Sequence, residues 1–420
     1  MKMMCQKNFF MPGAVAVACT LLGSAAWADT PLSLVVSENL TYDSNILRNN
    51  SNKYRDVISA TGVQLGFNKQ YGRQTYRASG TAVATRYKNS NFYDNDGYNL
   101  VLGFTSQVAS NWFLNFDHNS ISRLQSFQDQ GLNRYKEPIK SQDTGLFVQY
   151  GLYGRWSLNA DLGVTKIDYE VLRANNRSSK SAKLGVRYSP TDLLYFDFGY
   201  RRSNAQLPNY RSALISDDGE KIKQQSLDFS TRWVVTGYSN FDGRVSWNQE
   251  RYAVDEQRDF NGLTGRIGWN YTPSGKIAYT VALDRDTNNS GGTTTIDGFS
   301  FADQTFVLGF NSQRRVSTGL LLRATYTATA KISLTASGNY RRIEEERRSV
   351  SQTVGGAGGG SVSGAQSTGT YTALSIGANY QLFRSTRLGC SLEKYDRSAS
   401  LFSRDFSGDS VNCNAVFTLD

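Results

Sequence analysis

From Asp29 onward the sequence repeatedly alternates apolar and polar residues. The segment 156–164, Trp-Ser-Leu-Asn-Ala-Asp-Leu-Gly-Val, is typical, because every second residue is apolar. Such alternation over eight or more residues predicts a β-strand whose two faces meet different surroundings. No apolar run after Asp29 is long enough for a membrane-spanning helix, which needs about 20 residues. The pattern therefore predicts an all-β protein.

Three further features favour a transmembrane barrel over a soluble sandwich. The alternating segments run about 10 to 14 residues, whereas strands of soluble proteins usually have about 5 or 6. The connections between them are alternately short and long. Aromatic residues stand beside the short connections, at Trp112, Tyr150, Trp156, Tyr188, Tyr271 and Tyr380. Together these features predict a transmembrane antiparallel up-and-down β-barrel.

The polar face of these segments argues against a large soluble all-β protein, which is the alternative interpretation. That face consists of Gly, Ser, Asn, Asp and Arg, which cannot pack together without water. The low hydrophobic content of 39% is then the average of a lipid-facing and a water-facing surface. A closed barrel is also the only sheet that satisfies its backbone polar groups inside a membrane.

We place about 18 strands in the chain, with 16 as the alternative if the first pair is reassigned. An even number puts both ends of the barrel on the periplasmic side. Residues 287–314 are expected to form a long outer loop with β-structure of its own. Residues 344–368 contain the run Gly-Gly-Ala-Gly-Gly-Gly and are expected to form an outer loop, either floppy or folded into the pore mouth.

Residues 1–28 have the pattern of a secretory signal peptide. Lys2 and Lys7 precede an apolar stretch at 13–22, and Ala26-Trp27-Ala28 is a small-x-small cleavage pattern. Cleavage is expected between Ala28 and Asp29, which leaves residues 29–420 as a single barrel domain in the outer membrane.

Two cysteines, Cys390 and Cys413, lie in the last two predicted strands and share the parity of the lipid-facing residues. Their sequence midpoint falls near Leu401, in the connecting loop, so a symmetric hairpin would place them opposite each other. Because an exported chain meets an oxidising compartment, we predict a structural disulfide; two unpaired cysteines are the alternative.

The polar parity of each strand predicts a set of charged residues that face the lumen. In the hairpin over 193–236, a symmetric register would pair Asp197 with Arg232 and Arg201 with Asp228. An internal ladder of ion pairs is one interpretation, and a selectivity surface for a charged polymer is the other. The set comprises Lys183, Arg187, Asp197, Arg201, Asp228, Arg232, Asp242, Arg244, Glu250, Arg266, Asp284, Arg323, Arg341, Arg387 and Glu393.

The sequence offers little for catalysis. The single histidine, His118, follows Trp112, Leu114 and Phe116 on the predicted lipid side, where it is poorly placed to act as a base. No Cys/His metal spacing and no phosphate-binding loop are found. We expect no enzymatic activity, no cofactor, no metal and no nucleic-acid partner.

Several motifs, in order along the chain, carry a family resemblance. Tyr42-Asp43-Ser44-Asn45-Ile46-Leu47-Arg48 ends the first predicted strand, Tyr71-Gly72-Arg73-Gln74 forms the first short turn, and the segment Tyr93 to Leu100 follows. Residues 411–419 end the chain with Cys-x-Ala-x-Phe-x-Leu. These motifs resemble the exopolysaccharide-operon outer-membrane β-barrels (EpsL type) of a β-barrel porin family. The last strand departs from many such barrels, because Phe417 is followed by three further residues.

The resemblance implies a role in exopolysaccharide biosynthesis and export, with no catalytic residues. Implied partners are outer-membrane lipid, the exopolysaccharide chain and periplasmic polysaccharide-export proteins. The leading hypothesis is thus a hydrated path for a secreted polymer. The alternatives are a general diffusion porin for small solutes and a structural barrel that retains polymer at the cell surface.

Overall fold

The computed structural model describes residues 31–127, 135–209, 219–253, 259–288, 293–300, 305–354, 361–400 and 404–419. The predicted signal peptide, with Ala28 and Asp29 at its cleavage point, lies outside these residues. The strands are β1 (Leu32–Asp43), β2 (Asp56–Tyr71), β3 (Gln74–Tyr87), β4 (Asn95–Val108), β5 (Trp112–Leu124), β6 (Pro138–Tyr150), β7 (Trp156–Tyr169), β8 (Arg177–Thr191), β9 (Leu194–Leu207), β10 (Glu220–Thr236), β11 (Ser239–Tyr252), β12 (Phe260–Ser274), β13 (Ile277–Asn288), β14 (Thr293–Ser300), β15 (Thr305–Thr327), β16 (Ile332–Val354), β17 (Ser361–Phe383), β18 (Thr386–Arg397) and β19 (Phe406–Leu419). No helix in the described part of the chain is long and apolar enough to cross a membrane.

The strands close into one antiparallel ring. Apart from β13 and β14, each strand pairs with its neighbour in sequence, and the ring closes where β1 pairs with β19, with Leu34 opposite Leu419 and Tyr42 opposite Val411. Strand β14 stands apart, because it pairs only with β15 while β13 pairs directly with β15. Eighteen strands therefore form the barrel, which confirms the predicted count and the alternation of parity on which it depends.

The two faces of the barrel wall invert the usual pattern of a soluble protein. On β7, Leu158 is 58% exposed, whereas the neighbouring Asn159 is 4% exposed. Likewise Leu184 of β8 is 71% exposed while the inward Asp197 of β9 is buried. Apolar side chains on the outside of a closed ring are stable only against lipid, so the outer wall is the membrane-facing surface.

Aromatic pairs border this apolar belt near the short turns. The rings of Trp112 and Tyr150 lie 4.8 Å apart, and those of Trp156 and Tyr188 lie 4.6 Å apart, each pair across two neighbouring strands. Rings at the membrane–water boundary keep an apolar body in lipid and a polar edge in water. These positions match the girdle that the sequence predicts at the periplasmic rim.

The outer hairpin of β16 and β17 is longer than the sequence predicts. Strands β15, β16 and β17 each have 23 residues and pair far beyond the apolar belt, up to Ser351 opposite Ser361. The expectation that 344–368 is wholly loop was therefore wrong, and only 355–360 lie outside the described strands. In contrast, 287–314 does carry β-structure of its own, as expected, in the pairing of β14 with β15.

A repeated cap closes the outer ends of three hairpins. The backbone N–H of Tyr87 donates to Asp94 Oδ1, that of Tyr169 to Asn176 Oδ1 and that of Tyr252 to Asp259 Oδ1, at 2.7, 2.7 and 2.8 Å. The three tyrosines end β3, β7 and β11, so the cap recurs every fourth strand. Side-chain acceptors of this kind pair backbone groups where the strand ladder stops.

A buried acid precedes each capped hairpin and accepts backbone N–H groups from it. Glu137 binds the N–H groups of Val171 and Leu172 at 2.9 and 2.8 Å. Asp56 binds Asn89 and Glu220 binds Ala253 in the same way. The three acids are almost completely buried, so each one holds the next outer loop against its own strand.

Candidate functional site

The inner wall of the barrel carries the charged residues predicted to face the lumen. The Cα register puts all fifteen on the face opposite to the exposed apolar side chains; Lys183, for example, lies opposite Asp161 and Arg201, while Leu184 lies opposite Ala160 and Tyr200. This face is held in place by the strand ladder itself, because successive side chains of a strand point to opposite sides.

The strongest ion cluster centres on Asp197 of β9, which is 2% exposed. Its carboxylate accepts a hydrogen bond from Lys183 Nζ at 2.9 Å and lies 3.4 Å from Arg187 Nε. Asn159 Nδ2 donates to the same carboxylate at 2.5 Å. The Arg187 guanidinium also lies 4.2 Å from the ring centre of Tyr195. Three strands therefore share one acid, which makes this part of the wall a rigid charged surface.

The register between β9 and β10 corrects part of the predicted ladder. Asp228 lies opposite Gly199 and Arg232 opposite Tyr195, a shift of two residues from the symmetric pairing. Arg201 and Asp228 still form an ion pair of 3.2 Å, but diagonally. Asp197 is not the partner of Arg232, which lies opposite Asp242 of β11. The outer connection after Leu207 is not centred on the symmetric midpoint, and register follows the loop.

Uncharged polar side chains fill the wall beside this cluster, and of these the sequence analysis did not single out Ser226 or Thr264. Ser226 Oγ donates to Asn248 Oδ1 at 2.5 Å, and Asn248 Nδ2 donates in turn to Thr264 Oγ1. All three residues are buried. Their only signal in the sequence is the polar parity of β10, β11 and β12, which does not show which members bond to one another.

The remaining predicted charges are spread around the wall. Arg244 and Arg266 lie directly opposite each other, and Arg266 also lies opposite Asp284. Arg341 Nη2 lies 3.4 Å from Asp284. Glu250 accepts Gln224 Nε2 at 3.2 Å. The other three have uncharged cross-strand neighbours, with Arg323 between Thr280 and Ser337, Arg387 between Gln381 and Val416, and Glu393 between Ser375 and Ser410.

At the outer mouth, the loop after β1 folds onto the inner wall. Arg48 Nη1 donates to Tyr395 OH at 2.6 Å and to Asp43 Oδ2 at 2.7 Å, and its guanidinium lies 4.2 Å from the Tyr395 ring centre. Tyr395 OH donates to Asp43 Oδ1 at 2.6 Å. Asn45 Nδ2 donates to the Ser407 carbonyl at 3.1 Å. We call Asp43, Asn45, Arg48 and Tyr395 the mouth clamp.

The mouth clamp holds its loop in an uncommon backbone conformation. Arg48 has φ 55°, in the left-handed region that costs a side-chain-bearing residue about 1 kcal/mol or more. Ile46 and Asn45 are buried beneath it. The loop also lines a cavity of about 180 Å³ together with Ile58 of β2, Tyr87 of β3 and Phe127, which follows β5. It therefore occupies part of the mouth and does not extend outward.

The outer face of the wall from β13 through β15–β19 carries an apolar depression of about 940 Å³. It is lined by outward side chains that include Val281, Leu322, Leu374, Ile376 and Leu392.

Cys390 and Cys413 lie on the lipid-facing side of β18 and β19, directly opposite each other in the register. Their Cα atoms are 4.1 Å apart and their sulfurs are bonded. The bond links the last two strands beside the closure with β1, where Leu40 lies opposite Cys413.

Polar side chains on the outer face interrupt the apolar belt on β1 and on β5. His118 lies on the outer face of β5 and its Nδ1 is 2.8 Å from Thr144 Oγ1. Glu38, which the sequence reasoning did not single out, lies between Val36 and Leu40 on the outer face of β1, and its two oxygens accept Ser59 Oγ and Thr61 Oγ1, both at 2.6 Å. In the described part of the chain no group of three or more His, Cys, Asp or Glu side chains could hold a metal ion.

No protein-family model and no curated protein matches this sequence. Among solved structures, the chain is similar to Pseudomonas aeruginosa OccK2 (OpdF) in complex with glucuronate, at 11% identity and a TM-score of 0.47, covering 93% of this chain and 98% of that one. It is also similar to P. aeruginosa OccK5 (OpdH), at 12% identity, a TM-score of 0.45 and coverage of 93% and 98%. A third similar structure is the P. aeruginosa siderophore receptor PirA, at 9% identity and a TM-score of 0.41, covering 92% of this chain and 80% of that one.

TM-scores below 0.5 are too low to support an inference about this chain, so its assignment rests on its own geometry. A closed ring of antiparallel strands, apolar outside and polar inside, is a transmembrane β-barrel of porin-like architecture. Barrels of this kind reside in the outer membrane, which is the location of this protein.

Proposed function

We propose that this protein is a porin-like passage for small polar solutes across the outer membrane. The observation that carries the proposal is the mouth clamp, which fixes a loop inside the outer opening through Arg48 and Tyr395. A loop held against the inner wall narrows the passage but need not close it. In other outer-membrane barrels such loops limit the size of the solutes that enter.

The charges of the wall favour neutral or weakly charged solutes. Asp197 and Asp161 together offset the charges of Lys183 and Arg187 within one cluster, and Arg201 is balanced by Asp228. Paired charges hold water but produce little net field along the lumen. Arg244 and Arg266 face each other directly, which brings two positive charges together at one point of the wall, and Arg266 also lies opposite Asp284.

Reconstituted protein tests the proposal. In planar bilayers we expect discrete single-channel steps, and in liposome-swelling assays we expect monosaccharides to enter faster than trisaccharides, with polysaccharide excluded. Protein that folds into the bilayer but passes neither ions nor monosaccharides would overturn it. Heat-modifiable migration in gels serves as the control that the barrel has formed in each preparation.

Export of an exopolysaccharide is the second candidate, and the ordered motifs between Tyr42 and Leu419 are the observation that favours it. A deletion strain separates the candidates: loss of secreted polymer, restored by the wild-type gene, supports export, whereas normal polymer with slower solute uptake supports the porin. Secreted polymer that is no longer retained at the surface would instead favour the structural barrel.

A further inference from the structure

The outer wall of β8–β11 carries a group of cations just above the apolar belt. Below them, Leu184, Tyr200, Leu227 and Trp247 form an exposed apolar row across the four strands. Above this row lie Lys180, Arg202, Lys221, Lys223 and Arg251, which we call the outer basic patch. All five side chains are exposed.

Register brings the members of the outer basic patch together. Lys223 lies directly opposite Arg251, and Arg202 lies opposite Gln225, which in turn lies opposite Gln249. Direct cross-strand neighbours have Cβ atoms about 5 Å apart, so a single small anion can reach several of them. Arg202, Lys221, Lys223, Gln225, Gln249 and Arg251 line one depression of about 470 Å³ in the outer wall.

Three other outward cations of the barrel each have an acid partner. Arg86 lies 2.8 Å from Asp96, Lys166 lies 2.8 Å from Asp168, and Arg342 lies 3.3 Å from Glu344. The outward positions of β8, β9, β10 and β11, in contrast, include no Asp or Glu. Among the described residues, no member of the outer basic patch forms an ion pair. A compact group of cations without acids at this height needs an anionic partner to offset its repulsion.

We infer that the outer basic patch binds the phosphate groups of lipopolysaccharide in the outer leaflet. The membrane places phosphorylated headgroups at the level where the apolar belt ends, and acyl chains of the same molecule can lie on Leu227 and Trp247 below. Arginine and lysine both bind phosphate, arginine through two parallel N–H donors and lysine as a point charge. Gln225 and Gln249 line the same depression and add neutral amide donors.

The test uses the whole barrel in detergent micelles and measures retained lipid A by native mass spectrometry. Wild-type protein is expected to retain bisphosphorylated lipid A more tightly than the monophosphorylated form. The variant R202Q/K223Q/R251Q is expected to raise the apparent Kd about 100-fold at low salt, since each surface cation contributes a factor of about five. The matched control is R86Q, which removes an outward cation that already has an acid partner, and it should leave the Kd unchanged.

Each other outcome overturns the inference. Equal retention by wild type and the triple variant, in preparations that both migrate as folded barrels, would show that the cations do not hold the lipid. An equal loss in R86Q would indicate a general charge effect. Inorganic phosphate that competes at the same concentration as lipid A would show a soluble-anion site and no lipid site.

Discussion

The guanidinium of Arg48 lies 4.2 Å from the ring centre of Tyr395, and the two residues are joined by a hydrogen bond of 2.6 Å. Arg48 belongs to the first outer loop and Tyr395 to β18, at opposite ends of the chain. This contact fixes the loop inside the mouth and also ties together the two sides of the ring closure. The motif that carries the family resemblance, Tyr42 to Arg48, thus has a definite structural task here.

Removal of this contact should widen the mouth. For Arg48→Ala we expect larger and noisier single-channel steps in planar bilayers, because the loop loses a cation–π contact and hydrogen bonds that together contribute about 2 kcal/mol. Tyr395→Phe keeps the ring and should give an intermediate change. Identical conductance in wild type and both variants would show that the loop does not set the passage.

Loss of Asp197 should change ion selectivity. In Asp197→Asn the cations Lys183 and Arg187 lose their shared acid, so the reversal potential in a KCl gradient should shift toward that of chloride. The free energy of unfolding should fall by about 3 kcal/mol. Asp168→Asn removes an acid from the outer wall and serves as the control; a shift of the same size there would contradict a lumen effect.

Glu137 should be needed for the stability of the outer rim. Its carboxylate holds the backbone N–H groups of Val171 and Leu172, and Glu137→Ala leaves both without their acceptor. We expect a loss of about 3 kcal/mol in urea unfolding, with faster amide exchange at these two positions. Unchanged exchange at Val171 and Leu172 would show that the loop is held by other contacts.

The bond between Cys390 and Cys413 should stabilise the closure of the ring. Reduction, or the double substitution of both residues by alanine, is expected to lower the free energy of unfolding by about 3 kcal/mol. The double variant should not respond to reductant, which separates the effect of the bond from that of the side chains. Mass spectrometry without reductant that finds two free thiols would contradict the bond itself.

Glu38 on the lipid-facing wall should lower the free energy of unfolding. The hydroxyl groups of Ser59 and Thr61, which donate to its carboxylate, should offset part of this loss. We expect Glu38→Gln to raise the free energy of unfolding by about 1 kcal/mol, because a neutral amide is easier to hold in lipid. Ser59→Ala with Thr61→Val should lower it by about 2 kcal/mol. Changes of the same sign in the two variants would show that Glu38 is not in contact with lipid.

The strand segments, their two faces and the pairing of Cys390 with Cys413 could be predicted from the amino-acid sequence because each depends on local rules. Side chains alternate along a strand whatever surrounds it, and the hairpin of β18 and β19 is symmetric about its connection. Those rules also predicted the inward parity of the fifteen charged residues named for the lumen, but Asp161, which lies 3.9 Å from Lys183, was not among them. The rules did not predict the register of β9 on β10. The symmetric pairing placed Asp228 opposite Arg201, whereas in the structure Asp228 lies opposite Gly199.

Contacts between residues far apart in the sequence could not be predicted, because they depend on how the strands close into a ring. Nothing near Arg48 in sequence indicates Tyr395, nor does anything near Ser226 indicate a chain of hydrogen bonds through Asn248 to Thr264. Parity states only which wall a residue joins. Its neighbours on that wall depend on register and closure, which are collective properties of all eighteen strands. The mouth clamp and the outer basic patch both depend on this register and closure.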